Sequence, residues 1–147
     1  MGPKGRVLVV DDEPAIRALV AKIVDRAGYP VDSARDGAEA IEKLESQDYS
    51  VVVLDLMMPN VDGYALIEYV KSRPGVRPAI IVISAGDSAA LRRLDGSVVH
   101  SILRKPFDID VLGDLIAAAA RSMDEQAEAR TQTEGDVLPF RKGEQVC

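Results

Sequence analysis

Three short, almost unbroken aliphatic runs constrain this chain more than anything else in it: Val7-Leu8-Val9-Val10, Val51-Val52-Val53-Leu54 and Ala79-Ile80-Ile81-Val82-Ile83. Runs of this length and β-branched content suit strands covered on both faces, the condition of a parallel sheet sandwiched between helices. Each run ends on polar groups: Asp11-Asp12-Glu13 after the first, Asp55 after the second, Ser84 after the third. A weaker run, Ile102-Leu103-Arg104, ends in Lys105-Pro106. In an open parallel α/β sheet, ligands bind in the crevice beyond the carboxyl ends of the strands. The chemistry of this chain is therefore expected at those four ends.

The best strands are residues 6–10, 51–56 and 79–84. Val31-Asp32-Ser33-Ala34-Arg35 fits a polar edge strand, and residues 98–104 fit an interrupted one, with His100 and Ser101 breaking the run of Val98, Val99, Ile102 and Leu103. Helical periodicity fills the intervals. After Pro14, the set Ile16, Leu19, Val20, Ile23, Val24 and Ala27 repeats at i, i+3, i+4 and i+7, which makes one apolar face. Gly28 stands where a helix-terminating glycine belongs. Asp36-Gly37-Ala38-Glu39 reads as a capping box opening a helix that buries Ala40, Ile41 and Leu44. Gly63 to Arg73 buries Leu66, Ile67 and Val70 and stops at Pro74-Gly75. A short, weak helix is expected over 87–95, and a last one from Asp108 buries Ile109, Leu112, Leu115, Ile116 and Ala119. The order βαβαβαβαβα, with right-handed crossovers, gives an α/β fold with a doubly wound sheet of five parallel strands.

At 147 residues and 47% apolar composition, the chain has one domain's worth of core. A net charge of -6 and the lack of a basic stripe exclude general nucleic-acid binding. No apolar run approaches the ~20 residues of a membrane span, and Met1-Gly2-Pro3-Lys4-Gly5-Arg6 lacks the apolar core of a signal peptide. Cytoplasmic residence is the expectation. Cys147, the sole cysteine, is the last residue, which excludes an intrachain disulfide and a cysteine zinc site. With His100 the sole histidine, a histidine-based metal site or a Ser-His-Asp triad lacks material. Residues 124–147 carry six acids against three bases, too little apolar surface to offset ordering entropy. The last helix is expected to fray near Ala129, leaving residues 123–147 as an acidic, mobile tail behind a domain spanning 6–122 and a short lead at 1–5.

Asp11 and Asp12 fall on one short turn, and adjacent strands bring Asp55 beside them. Three carboxylates so close repel one another by several kcal/mol per pair at ~4 Å and an effective dielectric of ~20. A divalent cation resolves the conflict, and an all-oxygen donor set suits magnesium or manganese. Asp55 can then act as a nucleophile that accepts a phosphoryl group as an acyl phosphate. Lys105 offers a second cation and Ser84 a hydroxyl donor, the positioning and charge stabilisation on which phosphoryl transfer depends.

Val9-Val10-Asp11-Asp12-Glu13, Leu54-Asp55-Leu56-Met57-Met58-Pro59-Asn60-Val61-Asp62-Gly63, Ile83-Ser84-Ala85 and Lys105-Pro106-Phe107 together resemble the receiver domain of two-component response regulators. The likeness covers about residues 5–122. It implies a flavodoxin-like sheet of order 2-1-3-4-5 and phosphorylation of Asp55 by a sensor histidine kinase or a histidine phosphotransfer protein. It also implies magnesium bound by Asp12, Asp55 and the Met57 backbone carbonyl, with Asp11 ligating directly or through water. Ser84, Lys105, Met58 and the Ala85 N–H would contact the phosphoryl group, and the peptide before Pro106 would be cis. Phosphorylation would switch a partner-binding surface on the fourth helix, fifth strand and fifth helix, roughly Ser84 to Leu115.

The pattern breaks at Ile102, where receivers carry a Tyr or Phe three residues before the lysine. An aliphatic residue has no ring to swing, so either the switch linking Ser84 to Ile102 works through packing around Ile102 and the short helix at 87–95, the reading favoured, or the output is weak. Two rival readings remain. A haloacid-dehalogenase-like phosphatase also uses a strand-end Asp and magnesium, but needs an Asp where Met57 stands. A phosphate-independent interaction module would keep the fold without the chemistry. No DNA-binding helix-turn-helix is seen after residue 122, so a stand-alone regulator, a phosphorelay intermediate or an excised receiver is expected, with an unknown protein as its downstream target.

Overall fold

The computed structural model describes residues 5–56, 63–74, 77–84, 96 and 98–135, the last ten of these as backbone only. The described elements follow in the order β1 (Val7–Val10), α1 (Pro14–Arg26), β2 (Val31–Ala34), α2 (Gly37–Ser46), β3 (Val51–Asp55), α3 (Gly63–Ser72), β4 (Ala79–Ser84), β5 (Val99–Arg104) and α4 (Ile109–Gly135). The five strands are parallel in order β2-β1-β3-β4-β5, the order expected. The helix expected over 87–95 lies outside the described residues, as do Met57, Met58 and Ala85.

Strand alternation divides the core into two layers. Leu8, Val10, Val52, Leu54, Ile80 and Val82 face Ala40 and Leu44 of α2 and Leu66, Ile67 and Val70 of α3. Val7, Val9, Val51, Val53, Ile81 and Ile83 face Val20 and Val24 of α1 and Leu112, Ile116, Ala119 and Ala120 of α4. Burying both strand faces is what the unbroken aliphatic runs require. β5 is out of phase with itself. Ile80 pairs with Val99 but Ile81 with Ser101, so His100 is an inserted residue. Val99 packs with the first layer and Leu103 with the second, although they stand four positions apart and would share a side of a regular strand. A bulge reverses strand parity in this way.

Local signals set the helix ends. Pro14 opens α1 at its first turn, and Gly28 follows the helix at φ 93°, a left-handed conformation that glycine adopts at no steric cost. Asp36 accepts the Glu39 N–H through Oδ1 at 2.9 Å. The return bond of the expected capping box goes instead to the preceding residue, Glu39 Oε1 accepting the Arg35 N–H at 2.7 Å. Asp108 caps α4 through Oδ1, which accepts the Asp110 N–H at 2.8 Å and the Val111 N–H at 3.3 Å.

Three expectations need correction. Leu19 is 38% exposed, because it lies about 100° round α1 from Val20 and off the centre of the apolar stripe. Ile109 is 45% exposed; it begins α4 beyond the carboxyl end of β5, where the sheet no longer extends to cover it. The backbone of α4 runs on to Gly135 rather than fraying near Ala129.

Candidate functional site

Asp11 directly follows β1 and Asp55 ends β3, and the central strands place them side by side, with Val10 paired to Leu54. Both are buried, at 3% and 5% exposure, while Asp12 is exposed. One carboxylate oxygen from each of Asp11, Asp12 and Asp55 lies within 4.8 Å of the others. Lys105, just past β5, aims Nζ into this group. It stands 3.4 Å from Asp55 Oδ2, 3.8 Å from Asp11 Oδ2 and 3.5 Å from Glu13 Oε1.

Lys105 is held there by backbone, its N–H donating to the Ser84 carbonyl at 3.0 Å, which continues the β4–β5 ladder by one residue. The Lys105–Pro106 peptide is cis, as the resemblance implied. Ser84 is buried at the end of β4, in phase with Ile80 and Val82. Ile102, paired with Val82 on β5, is 41% exposed. The structure thus brings together Asp11, Asp12, Asp55 and Lys105, with Ser84 one residue past the β4 partner of Asp55.

The electrostatics are those of a strained acidic pocket. The Asp11 carboxyl is raised to about 6: burial pushes it up most, the hydrogen bond from the Glu13 N–H pulls it down, Asp55 pushes it up, Lys105 pulls it down and Asp12 adds a smaller push upward. Burial pulls the Lys105 ammonium down, but Asp11, Asp55 and Glu13 outweigh it and leave it above its ordinary value. Burial therefore outweighs the lysine at Asp11, and the carboxylates outweigh burial at Lys105. The donor set is all oxygen and mutually repulsive, which fits a hard divalent cation such as magnesium.

Two residues that the sequence singled out for no role also reach this site. Glu13 shares Lys105 with the two buried carboxylates, and Arg17 Nη1 donates to the Asp11 carbonyl oxygen at 2.7 Å. The available signal was their spacing, four residues apart across the first turn of α1, which puts both on one side of that helix.

Gly63 closes the segment after Asp55. Its N–H donates to the Leu56 carbonyl at 3.1 Å, and a Cβ there would lie 2.5 Å from Leu56 Cα. Only glycine permits that approach.

A family model of the response regulator receiver domain matches residues 7–117. The transcriptional regulatory protein TcrA of Mycobacterium tuberculosis is 33% identical over 117 residues, which is 79% of this chain and 46% of that protein. The chain thus spans about half the length of that curated relative. Among solved structures, a Francisella response regulator receiver domain is similar at TM-score 0.72 and 28% identity, over 80% of this chain and 98% of that one. The chemotaxis response regulator CheY4 of Vibrio cholerae is similar at TM-score 0.71 and 27% identity, over 79% of this chain and 98% of that one.

Proposed function

The chain belongs to the response regulator receiver domain family, a signalling domain of two-component systems, and from that premise we propose that Asp55 is its phosphoryl acceptor. The observation that carries this reading is the convergence of Asp11, Asp12 and Asp55 within 4.8 Å, with Lys105 Nζ 3.4 Å from Asp55 Oδ2.

The donor is a phosphohistidine on a sensor histidine kinase or a phosphotransfer protein. An oxygen of Asp55 attacks phosphorus; the O–P bond forms as the N–P bond breaks, and the donor ring, protonated on its other nitrogen, departs with the bonding electrons as neutral imidazole. Asp11, Asp12 and Asp55 would hold magnesium, with the Met57 carbonyl as a further donor. When bound, magnesium supplies positive charge against the phosphoryl oxygens. Lys105 turns from the Asp55 carboxylate to the transferred group, and the Ser84 hydroxyl, Met58 and the Ala85 N–H complete its surroundings. The β strands fix the two buried carboxylates, so little reorganisation accompanies transfer. The readout is a partner-binding surface between Ser84 and Leu115. At its centre Ile102 couples by packing rather than by ring rotation. The domain itself occupies residues 6–122 and works in the cytoplasm.

Acetyl phosphate with magnesium, followed by intact-mass spectrometry, tests this. One added phosphate on the wild type, none on Asp55→Asn, and no sustained release of phosphate from esters is the expected result. Label surviving in Asp55→Asn would overturn the assignment, and multiple turnover of an ester would point to a phosphatase.

A further inference from the structure

Each polar atom of Asp11 has a partner, and the one at its main-chain carbonyl comes from a side chain. The Asp11 N–H donates to the Ala34 carbonyl at 3.1 Å. Oδ1 accepts the Glu13 N–H at 3.0 Å, and Oδ2 faces Lys105 Nζ at 3.8 Å. The carbonyl oxygen accepts from Arg17 Nη1 at 2.7 Å, the shortest of the four and a charge-assisted bond. Arg17 is itself fixed in helix, its N–H donating to the Glu13 carbonyl at 2.9 Å. Val20 and Val24 anchor the same helix in the core. The guanidinium therefore ties α1 to the peptide that joins Asp11 to Asp12.

That peptide links the buried carboxylate of the acidic group to the exposed one. Because a peptide is planar, fixing the direction of the Asp11 carbonyl fixes the plane, and with it the direction in which Asp12 leaves the strand end. Simple electrostatics assigns Arg17 the opposite effect. A permanent cation bonded to the peptide between two of the three carboxylates weakens their attraction for a divalent ion. Positioning and charge thus differ in sign.

We propose that Arg17 is a positioning residue for the divalent-cation site, holding the Asp11–Asp12 peptide so that both carboxylates stay in register with Asp55. The proposal rests on the reading of Asp11, Asp12 and Asp55 as the metal-holding group. Calorimetric titration of the full chain with magnesium chloride alone, without a phosphoryl donor, tests it on wild type, Arg17→Ala, Arg17→Lys and Lys22→Ala, with thermal midpoints recorded alongside. Lys22 is an exposed cation on the same helix. Arg17→Ala weakens magnesium binding by about tenfold, the scale of losing an outer support of a metal ligand, although it removes a positive charge. Arg17→Lys recovers part of the loss, and Lys22→Ala changes little. Magnesium binding by Arg17→Ala as tight as the wild type's, or tighter, overturns the proposal. Should Arg17→Ala fail to fold, Arg17→Lys decides, and undiminished affinity there overturns it. A wild type that takes up no magnesium sinks the functional reading and this proposal with it; a wild type that binds normally beside an unaffected Arg17→Ala sinks this proposal alone.

Discussion

Lys105 Nζ lies 3.4 Å from Asp55 Oδ2 while remaining within 3.8 Å of Asp11 Oδ2, so one ammonium serves as the internal counter-ion of two buried carboxylates. A divalent cation entering that group must compete with it. Replacing the lysine by an apolar residue of similar length separates its two roles. Lys105→Met is expected to bind magnesium several-fold more tightly by calorimetry, yet to take up phosphate from acetyl phosphate more slowly. Weaker magnesium binding would mean that the ammonium organises the carboxylates instead of competing for them.

The raised pKa of Asp11 predicts a specific pH dependence. The folded state holds this proton to about pH 6, whereas the unfolded chain releases it near 3.8. The stabilisation is fully present below the unfolded value and is lost as pH rises through the folded one. At ~1.4 kcal/mol per pKa unit the loss is roughly 3 kcal/mol. Asp11→Asn keeps an acceptor for the Glu13 N–H and removes the charge. Without magnesium, urea midpoints should show the variant more stable than the wild type at pH 7.5, with the gap closing toward pH 4. A gap that does not change with pH would remove burial of the carboxylate as its cause.

Gly63→Ala tests the closure behind Asp55. The added methyl meets Leu56 Cα at 2.5 Å, a backbone atom that cannot step aside as a side-chain end can. A loss of about 1–3 kcal/mol or more is expected from overpacking of this kind. It should appear as a lower urea midpoint with the slope retained, and with reduced labelling of Asp55. Wild-type stability would show that the strand end yields easily.

Gly113 in α4 should behave in the opposite way. A Cβ there meets Ile23 Cγ2 at 3.6 Å, an ordinary van der Waals contact between α4 and α1. Gly113→Ala is therefore expected to raise stability by about 0.5–1 kcal/mol, by helix propensity and by restricting the unfolded chain. A lower thermal midpoint would indicate that the two helices cannot give the small space required.

The sheet and its acidic end were legible because they depend on local pattern. Asp11 and Asp55 stand directly behind aliphatic runs, and a parallel sheet necessarily aligns such ends. Glu13 and Arg17 were not, because their contacts depend on the path of one turn and on which way a peptide faces, neither of which periodicity encodes. Leu19 and Ile109 show the same limit within helices. A repeat identifies an apolar stripe but not where its margin or its end falls relative to the neighbouring sheet. The insertion at His100 appeared in the sequence only as a polar break in a run. That it was an added residue emerged from the pairing of Ile80 and Ile81 with Val99 and Ser101.

That added residue has a consequence for the pocket. Asp11 continues the phase of Val7 and Val9, and Asp55 that of Val51 and Val53, so both belong to the side of the sheet covered by α1 and α4. Lys105 continues the phase of Leu103, which reaches that side only because His100 shifts the count by one. In an evenly pleated fifth strand of the same composition, the lysine would emerge on the opposite side of the sheet from the carboxylates it neutralises. The meeting of opposite charges at the heart of this domain thus hangs on an arithmetical irregularity some five residues upstream of the lysine.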